Sequence, residues 1–496
     1  MNQRKKVIII GGGTAGITIA NYLQDYFQVS VIEKSKNNKY PLIFKVPLLI
    51  GILFRRKKTK YINKTEFLLK NGRTIPFYES NLLGGASVMN GAVHVFGFKS
   101  KWKLILDKFK FSIEDLNESN DKIYSFDRNE KNKITLANAK LNEVDNAFIE
   151  TLQKQNINVD DMSHSEKQAC GAIQNTVRKY FRTSVLSILK KRRFDVFINE
   201  KVDSFILNDE GEVTGVRTNK GIRNADYVIL SAGVIGSCSL ILNQKNKDTS
   251  GRFSSLSVGK KIQDHTNLRV NVSANKPLNS LNEVYSSVFK KLFLGIKHFL
   301  GIPTVMRGTG ATSGAYLDLD KDGDIDTRIQ ILQFSEAGRH GSKGSVFKSS
   351  KPGFSISINA IHPESTGSIQ LNGEKVIVDP NFLSSKKDIE ILKLALKYCV
   401  DLLKSQPLSD YVLKIDDEET ILNDPEKYIQ ELMYSGHHLI GGLQDDIDSN
   451  FEVKNIKRLY VCDASIFDRY VASNIHSSVV LLADMFAKSF VEKNRF

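Results

Sequence analysis

The sequence predicts an α/β protein in which a discontinuous domain on a parallel sheet is interrupted by an inserted α+β domain with a mostly antiparallel sheet. Three observations predict it. The chain opens on a strand, glycine turn, helix and strand over residues 7–33. It closes on a strand and helix of the same kind, 458–462 and 477–491. Between about 276 and 424 the pattern changes to short alternating segments separated by turn signals.

Each element has its own reason. Val7-Ile8-Ile9-Ile10 is a fully apolar run, as a strand buried on both faces requires. Gly11-Gly12-Gly13-Thr14-Ala15-Gly16 fits G-x-G-x-x-G, residues 17–27 have helical periodicity, and 29–32 form a second strand ending at Glu33. In that context Gly11 permits the tight turn, Gly13 lets backbone approach a pyrophosphate, and Gly16 lets helix pack on strand. The helix start around Thr14 and Ala15 offers N–H groups to phosphate, and a carboxylate at Glu33 suits a ribose and disfavours a 2′-phosphate. The unit is therefore Rossmann-like and takes a dinucleotide; position alone does not separate FAD from NAD. Residues 34–80 read as an irregular basic excursion, 101–160 as helical and polar, and 183–191 as helical. Strands follow at 195–198, 202–207, 213–218 and 227–231. After 275 come strands at 313–319, 328–334, 354–360, 368–371 and 375–378, then an amphipathic helix at 388–403.

Bulk properties narrow the function. The 496 residues allow two to four domains, and 41 % hydrophobic with 25 % charged residues is ordinary globular composition. Cys170, Cys238, Cys399 and Cys462 stand far apart, so neither a zinc site nor a disulfide framework is expected, and a reducing compartment is. The net charge of +15 comes from lysines spread along the chain, which reads as a solubilising surface and predicts no nucleic-acid partner. The apolar run 7–10 breaks into glycine, and 41–54 is short and interrupted by Lys45, so no signal or membrane-spanning segment is expected and the chain reads as cytoplasmic.

Two weaker signals complete the reading. Asp318, Asp320, Asp322 and Asp324, with Gly323 sixth, imitate the start of a calcium loop, but Ile329 stands at the twelfth position; an acidic hairpin turn is expected, and no metal. Residues 286–300 carry Phe289, Leu292, Phe293, Ile296, Phe299 and Leu300 at helical spacing with Lys290, Lys291 and Lys297 opposite. They read as a lid on a substrate pocket, a role compatible with peripheral contact to a membrane.

Later segments resemble the glucose–methanol–choline (GMC) oxidoreductases in family order. Gly84-Gly85-Ala86-Ser87-Val88-Met89-Asn90-Gly91 resembles their GG-x-S-x-x-N-G motif. Residues 227–237 look like the second signature, and Val258-Gly259 through Gln263-Asp264-His265 is similar to VG-x-x-x-QDH. Segments 363–367, 378–384, 459–467 and 473–484 resemble the substrate-domain strands and the C-terminal flavin segment. The resemblance implies an FAD-binding domain over 1–275, a substrate domain over 276–424, and a return to the first domain over 425–496. It implies Glu33 on the adenosine ribose and Val202 near the adenine. Gly85, Asn90, Gly91 and Val93 would line the flavin, with Ala232, Asp463, Ala464 and Ser477 also against the cofactor. Met89 stands where some members carry a tethering His, which implies non-covalent FAD. Gly436-His437-His438-Leu439-Ile440-Gly441-Gly442 is similar to H-x-x-G-T, which selects His438 as catalytic base, with His437 the rival, and His476 falls on the second catalytic position. The family continues with an Arg-Met-Gly stretch where this chain has Leu443-Gln444-Asp445-Asp446.

The implied reaction is oxidation of an alcohol (a sugar, polyol, amino alcohol or similar small molecule) with His accepting the proton. Oxygen, a quinone or a protein remains open as electron acceptor. Light-driven fatty-acid decarboxylation, known in one branch that uses a substrate-domain cysteine, is the alternative, although no cysteine lies between Cys238 and Cys399. A flavin-binding module with little turnover is the other.

Overall fold

Branched side chains favour extended backbone, and residues 7–10 form most of strand β1 (Lys6–Ile10), each at most 5 % exposed. The structure, a computed structural model, describes residues 4–37, 41–51, 60–69, 71–189, 191–336 and 350–495. Helix α1 (Thr14–Leu23) returns the chain to β2 (Gln28–Glu33), parallel to β1. β3 (Asp195–Ile198) lies beyond β2, and β4 (Tyr227–Leu230) pairs with the other edge of β1. Leu459–Val461 completes a five-stranded sheet in which every pairing is parallel. The C-terminal helix (His476–Asn494) packs on α1. Covering helices are what allow β1 to be apolar on both sides.

The second large sheet is mostly antiparallel. Its centre is β5 (Thr266–Ala274), β6 (Ala311–Leu317), β7 (Thr327–Leu332) and β8 (Gly353–Ala360), in the order β5-β8-β7-β6. Val412–Ile415 extends it beyond β5 and Ala169–Ala172 beyond β6, so strands from both sides of residue 276 share this sheet. Leu268, Val270, Ile329, Ile331, Ile356 and Ile358 are fully buried. Helix α3, which follows the shorter α2 (Val288–Phe299), spans Lys386–Leu403 and packs on β8. The alternate positions, Asn267, Arg269, Arg328, Gln330, Ser357 and Asn359, point the other way, into a cleft between the two sheets. Register aligns them in two rows: Asn267 opposite Asn359 opposite Arg328, and Arg269 opposite Ser357 opposite Gln330. A one-residue slip would bury both rows, so the apolar alternation sets which polar groups face the cleft.

Three expectations need correction. Residues 34–80 are not all irregular: Ile62–Leu68 and Thr74–Ser80 form an antiparallel hairpin. Its alternation is masked by Lys64 and Glu66, although Asn71-Gly72 supplies a turn signal. Among the described residues of 183–191 the helical part is a single 3-10 turn, Val185–Ser187. Ser184 and Ser187 cap each other across it, and Leu186 packs beside Gly84 instead of along a helix face. Within 101–160, helices Lys99–Phe109, Ile113–Ile123 and Glu143–Lys154 are interrupted by the strand Ile134–Asn138.

The acidic segment 318–326 connects β6 to β7 as a hairpin. Asp318, Asp320 and Asp326 bring carboxylate oxygens within 4.8 Å of one another, and Lys387 lies 3.5 Å from Asp320 and 3.3 Å from Asp322. Among the described residues no helix is long and apolar enough to cross a membrane.

Candidate active site

The first wall of the cleft is the β1–α1 turn. Gly11 has φ +104°, and a Cβ there would stand 2.9 Å from Ala232 Cα. Only glycine tolerates both. Gly16 faces away from the cleft, where a Cβ would overlap Gly11 O and meet Ile9 at 3.3 Å, so it serves packing. Gly11, Gly13, Thr14 and Ala15 line the cleft, and no side chain caps α1, leaving its N-terminal end to whatever enters. The Glu33 carboxylate accepts from Gly12 N at 2.8 Å and Ser35 N at 2.7 Å, and still borders the cleft with lone pairs to spare. Val202 lines the same end.

The 84–93 segment packs against this turn. Gly84 N donates to Gly12 O at 2.7 Å, and a Cβ on Gly85 would stand 2.7 Å from Gly13 Cα. Gly85, Met89, Asn90, Gly91 and Val93 all line the cleft. Arg182 clamps Asn90: Nη2 donates to its carbonyl at 2.6 Å and Nη1 to its Oδ1. Ala232, Asp463 and Ala464 line the cleft beside β4. The Asp463 carboxylate is turned inward, accepting from Gly233 N at 2.9 Å, Ser237 Oγ at 2.6 Å and Ser465 N at 2.8 Å, so it shapes the backbone around Ala464. Ser477 does not line the cleft; its hydroxyl donates to Val95 O.

The far end holds the histidines. His437 has φ +59° and its ring lies against Phe77 and Tyr78, with centroids 5.4 and 5.8 Å away. His438 points elsewhere: its Nδ1 is 2.6 Å from His265 Nε2 and its Nε2 is 3.0 Å from Asn474 Nδ2. His438 N donates to Asp264 Oδ1 at 3.0 Å, and Tyr470 OH donates to His438 O at 3.0 Å. Gly436 makes room for this pair, because a Cβ there would stand 3.0 Å from His265 Nε2. Burial, then Arg328, lowers the His438 pKa to about 3; burial, then Arg182, lowers His476 to about 4. Burial raises Asp264 to about 7 against the hydrogen bonds that favour its charge. His476 opens the C-terminal helix, lines the cleft, and has no protein partner at its buried Nε2.

The hydrogen-bond network assigns the His438 tautomer. Arg328 is donor-only, so Asn474 must turn Oδ1 toward its Nη1. Asn474 Nδ2 then donates to His438 Nε2, which must be the bare nitrogen, and His438 Nδ1 carries the proton and donates to His265 Nε2. The result is a neutral imidazole with its lone pair on the nitrogen held by Asn474.

The cleft measures about 1460 Å³, well above the ~300–1,000 Å³ of a single small-molecule pocket. Against known proteins, residues 5–267 and 363–483 match the GMC oxidoreductase family. The chain belongs to that family. An alcohol dehydrogenase [acceptor] of Pseudomonas putida is 22 % identical over 98 % of this chain and 95 % of its own. An oxygen-dependent choline dehydrogenase of Staphylococcus saprophyticus is 23 % identical over 98 % and 94 %. The crystal structure of pyridoxine 4-oxidase from Mesorbium loti superposes with a TM-score of 0.81, at 18 % identity, over 99 % of this chain and 100 % of that one.

This GMC oxidoreductase is an FAD enzyme, as its family is. Its residues fit that group: an open helix end and backbone-only glycine turns suit phosphates at one end, and the unpartnered His476 Nε2 suits a polar ligand at the other. Sequence reasoning missed Arg182, Asp264, His265, Arg328, Gln330 and Asn474. Asp264 and His265 sat inside the quoted QDH segment and Asn474 two residues before His476, so those were findable; Arg182 and Arg328 had no local signal.

Proposed function

We propose that this GMC oxidoreductase oxidises an alcohol, with His438 Nε2 taking the hydroxyl proton. FAD bound in the cleft supplies the hydride acceptor, its N5. The observation that carries the reading is the assigned tautomer: Arg328, Asn474 and His265 hold a neutral imidazole whose unprotonated Nε2 accepts from Asn474 at the cleft wall, where a substrate hydroxyl would take the place of that amide donor. A general base must present a lone pair within reach of the proton it takes. His476 Nε2, buried and unpartnered, would donate to the same substrate oxygen and orient it. His437, packed against Phe77 and Tyr78, is the lesser candidate. The wider assignment follows. Gly11, Gly13, Thr14, Ala15, Glu33 and Val202 would hold the adenosine diphosphate half, and Gly85, Asn90, Gly91, Val93, Ala232, Asp463 and Ala464 the flavin half. A Rossmann-like domain would thus carry the cofactor, and the polar face of the antiparallel sheet the substrate. Met89 stands where some members carry a tethering His and has no imidazole to bond the flavin, so acid precipitation should release all yellow colour into the supernatant.

The named relatives act on an alcohol, choline or pyridoxine, and share the CH–OH chemistry proposed here. The test is anaerobic titration of the purified holoprotein with alcohols, followed at the flavin absorbance band. Bleaching is expected. His438→Gln should slow it about 10²–10⁴-fold, and His437→Gln less than about tenfold. Bleaching unchanged in His438→Gln would sink the assignment of the base.

A further inference from the structure

Among the described residues two arginines line the cleft, in different electrostatic situations. Arg269 has its counter-ion, Glu336 Oε2 at 2.5 Å, and Nε donates to Tyr434 OH at 3.0 Å. Arg328, 3 % exposed and on the neighbouring row of the same sheet face, has none. Its Nη1 donates to Ser473 Oγ and Asn474 Oδ1, and Nε and Nη2 reach the Gln330 amide oxygen once that amide is oriented to satisfy both groups. All these partners are neutral. Every Asp and Glu of the chain lies among the described residues, and none is paired with Arg328. A guanidinium stays charged even when buried, and a buried charge wants an opposite one. One Nη2 N–H remains for it. Asn474 touches both Arg328 and His438, so an anion at Arg328 would sit one amide away from the base.

We propose that the alcohol oxidised here is a hydroxy acid whose carboxylate binds Arg328 and whose carbinol faces His438. This rests on the alcohol-oxidation reading and adds the substrate class to it. The hydroxyl proton goes to His438, the carbinol hydrogen leaves with its electron pair to the flavin, and an oxo acid is released with its carboxylate unchanged. The experiment pairs lactate, glycolate, 3-hydroxybutyrate and gluconate with their methyl esters or amides in anaerobic flavin reduction. It adds acetate and benzoate, against acetamide and benzamide, as non-reacting probes of the flavin spectrum. The acid should be preferred by about 100-fold or more in kcat/KM for at least one pair, as charged hydrogen bonds are the strong ones. The carboxylate probes should perturb the spectrum where the amides do not. Arg328→Gln should cut the preference below about tenfold and abolish the perturbation; Arg328→Lys should restore part of both. Reduction by neutral alcohols alone, with silent carboxylates, overturns the carboxylate site and leaves alcohol oxidation standing. Perturbation by acetate with no alcohol of either class reducing the flavin does the reverse. A lowered flavin midpoint potential in Arg328→Gln with an unchanged acid-to-ester ratio overturns the proposal too, by making the reduced cofactor the counter-ion.

A separate observation concerns α2. Val288, Phe289, Leu292, Phe293, Ile296, Phe299 and Leu300 are 49–84 % exposed. The helix is pinned by His298, whose Nε2 lies 2.8 Å from Tyr180 O and Nδ1 3.1 Å from Thr304 Oγ1, while Lys291 and Leu294 line the cleft. The helix itself carries Lys290, Lys291 and Lys297 and no acid, and Glu283, just before it, is buried and lies 4.0 Å from Lys290. A second copy is a poor cover for this face, because a two-fold contact would bring like charges together. An apolar helix face whose own charged residues, Lys290, Lys291 and Lys297, are all cations matches an anionic lipid surface. We infer that α2 seats on such a bilayer beside the mouth of the cleft. The holoprotein should co-sediment with phosphatidylcholine vesicles containing phosphatidylglycerol and not with phosphatidylcholine alone, and salt should release it. Phe289→Glu with Phe293→Glu should abolish sedimentation while soluble alcohols are oxidised as before. Absent or equal binding to both vesicles overturns the inference. So does a dimer in sedimentation velocity that the double substitution dissolves, because it would assign the helix to a second copy.

Discussion

Gly442 carries a consequence at the scale of a single residue. The family motif ends in Thr where this chain has Gly442, and the backbone there has φ +102°. A Cβ would stand 2.6 Å from Cys238 Sγ and 3.3 Å from Ile262 Cγ2. The altered run after it is tied down in its own way: Gln444 Oε1 accepts from Gly442 N at 2.5 Å and Asp446 Oδ1 from Ser257 N at 2.6 Å. Gly442→Thr, although it restores the family residue, should therefore destabilise the protein by about 2–4 kcal/mol, from positive-φ strain and overpacking together. Gly251→Thr, at φ +75° with nothing within 4 Å of its Cβ, should cost only the strain, about 1 kcal/mol. Urea unfolding of both variants checks this, and equal costs would rule out the crowding at Cys238. His438 allows a second test at this scale. Its pKa near 3 means that the neutral base persists as pH falls. Flavin reduction by a neutral alcohol should stay level from pH 8 to 5; a decline centred near 6.5 would show an ordinary, solvated histidine.

Among the elements, the helix Glu143–Lys154 shows what sequence reveals and what it withholds. Asn142 and Asp145 form a capping box, a local signal legible at fixed spacing. That the same carboxylate is buried and accepts from Thr312 Oγ1 and Ser313 Oγ, both at 2.6 Å, and from Gln333 Nε2 at 3.1 Å was not legible, because those partners arrive from β6 and the segment after β7. Asp145 thus joins the helix to the antiparallel sheet. Asp145→Ala strands these donors and should cost about 3–5 kcal/mol, read as a lowered urea midpoint; a loss under about 1 kcal/mol would mean that the cap alone matters. The same division runs through the site. The β1–α1 turn, the 84–91 turn and the two histidines were legible because their chemistry is local or ordered along the chain. Arg328 and Gln330 were not, since Arg-Ile-Gln is an unremarkable alternation until register sets it beside Asn359 and Ser357. The hairpin Ile62–Leu68 with Thr74–Ser80 was lost for the opposite reason: its local signal was present and the polar residues on its outer face hid it.

Over the whole molecule, the many buried histidines make acid stability a collective property. Burial lowers the pKa of His94 and His438 to about 3 and of His362 and His476 to about 4, and lowers His265 and His298 as well. In the unfolded chain each returns to about 6.5. Between 6.5 and the folded values the unfolded state binds more protons, so stability falls as pH falls, by up to about 1.4 kcal/mol per pH unit for each histidine. Buried acids oppose this. Asp264, raised to about 7, binds its proton in the folded state first and gains stability as pH falls from 7 toward 4, and Asp145, Asp326, Asp446, Glu452 and Asp463 are raised by burial in the same sense. The histidines outweigh them between pH 6.5 and 5, because four are held at about 3 or 4 while Asp264 alone among these acids is placed as high as about 7, and carboxylates held low, such as Asp161 near Ser163 and His164, add their losses only below about pH 4. The holoprotein should therefore be most stable near neutrality and lose stability steadily from pH 6.5 to 5, measured as the urea midpoint. His94 isolates one contribution, because it lies outside the cleft, packs on Tyr124 at 4.5 Å between ring centroids, and has no partner at either nitrogen; His164, His476 and Asp161 are its titratable neighbours. His94→Phe should flatten the slope by up to about 1.4 kcal/mol per pH unit and leave the variant more stable than the parent at pH 5. A urea midpoint that does not move between pH 7 and 5 would mean that these imidazoles are hydrated in the folded protein, and would remove the basis for a neutral His438 as well.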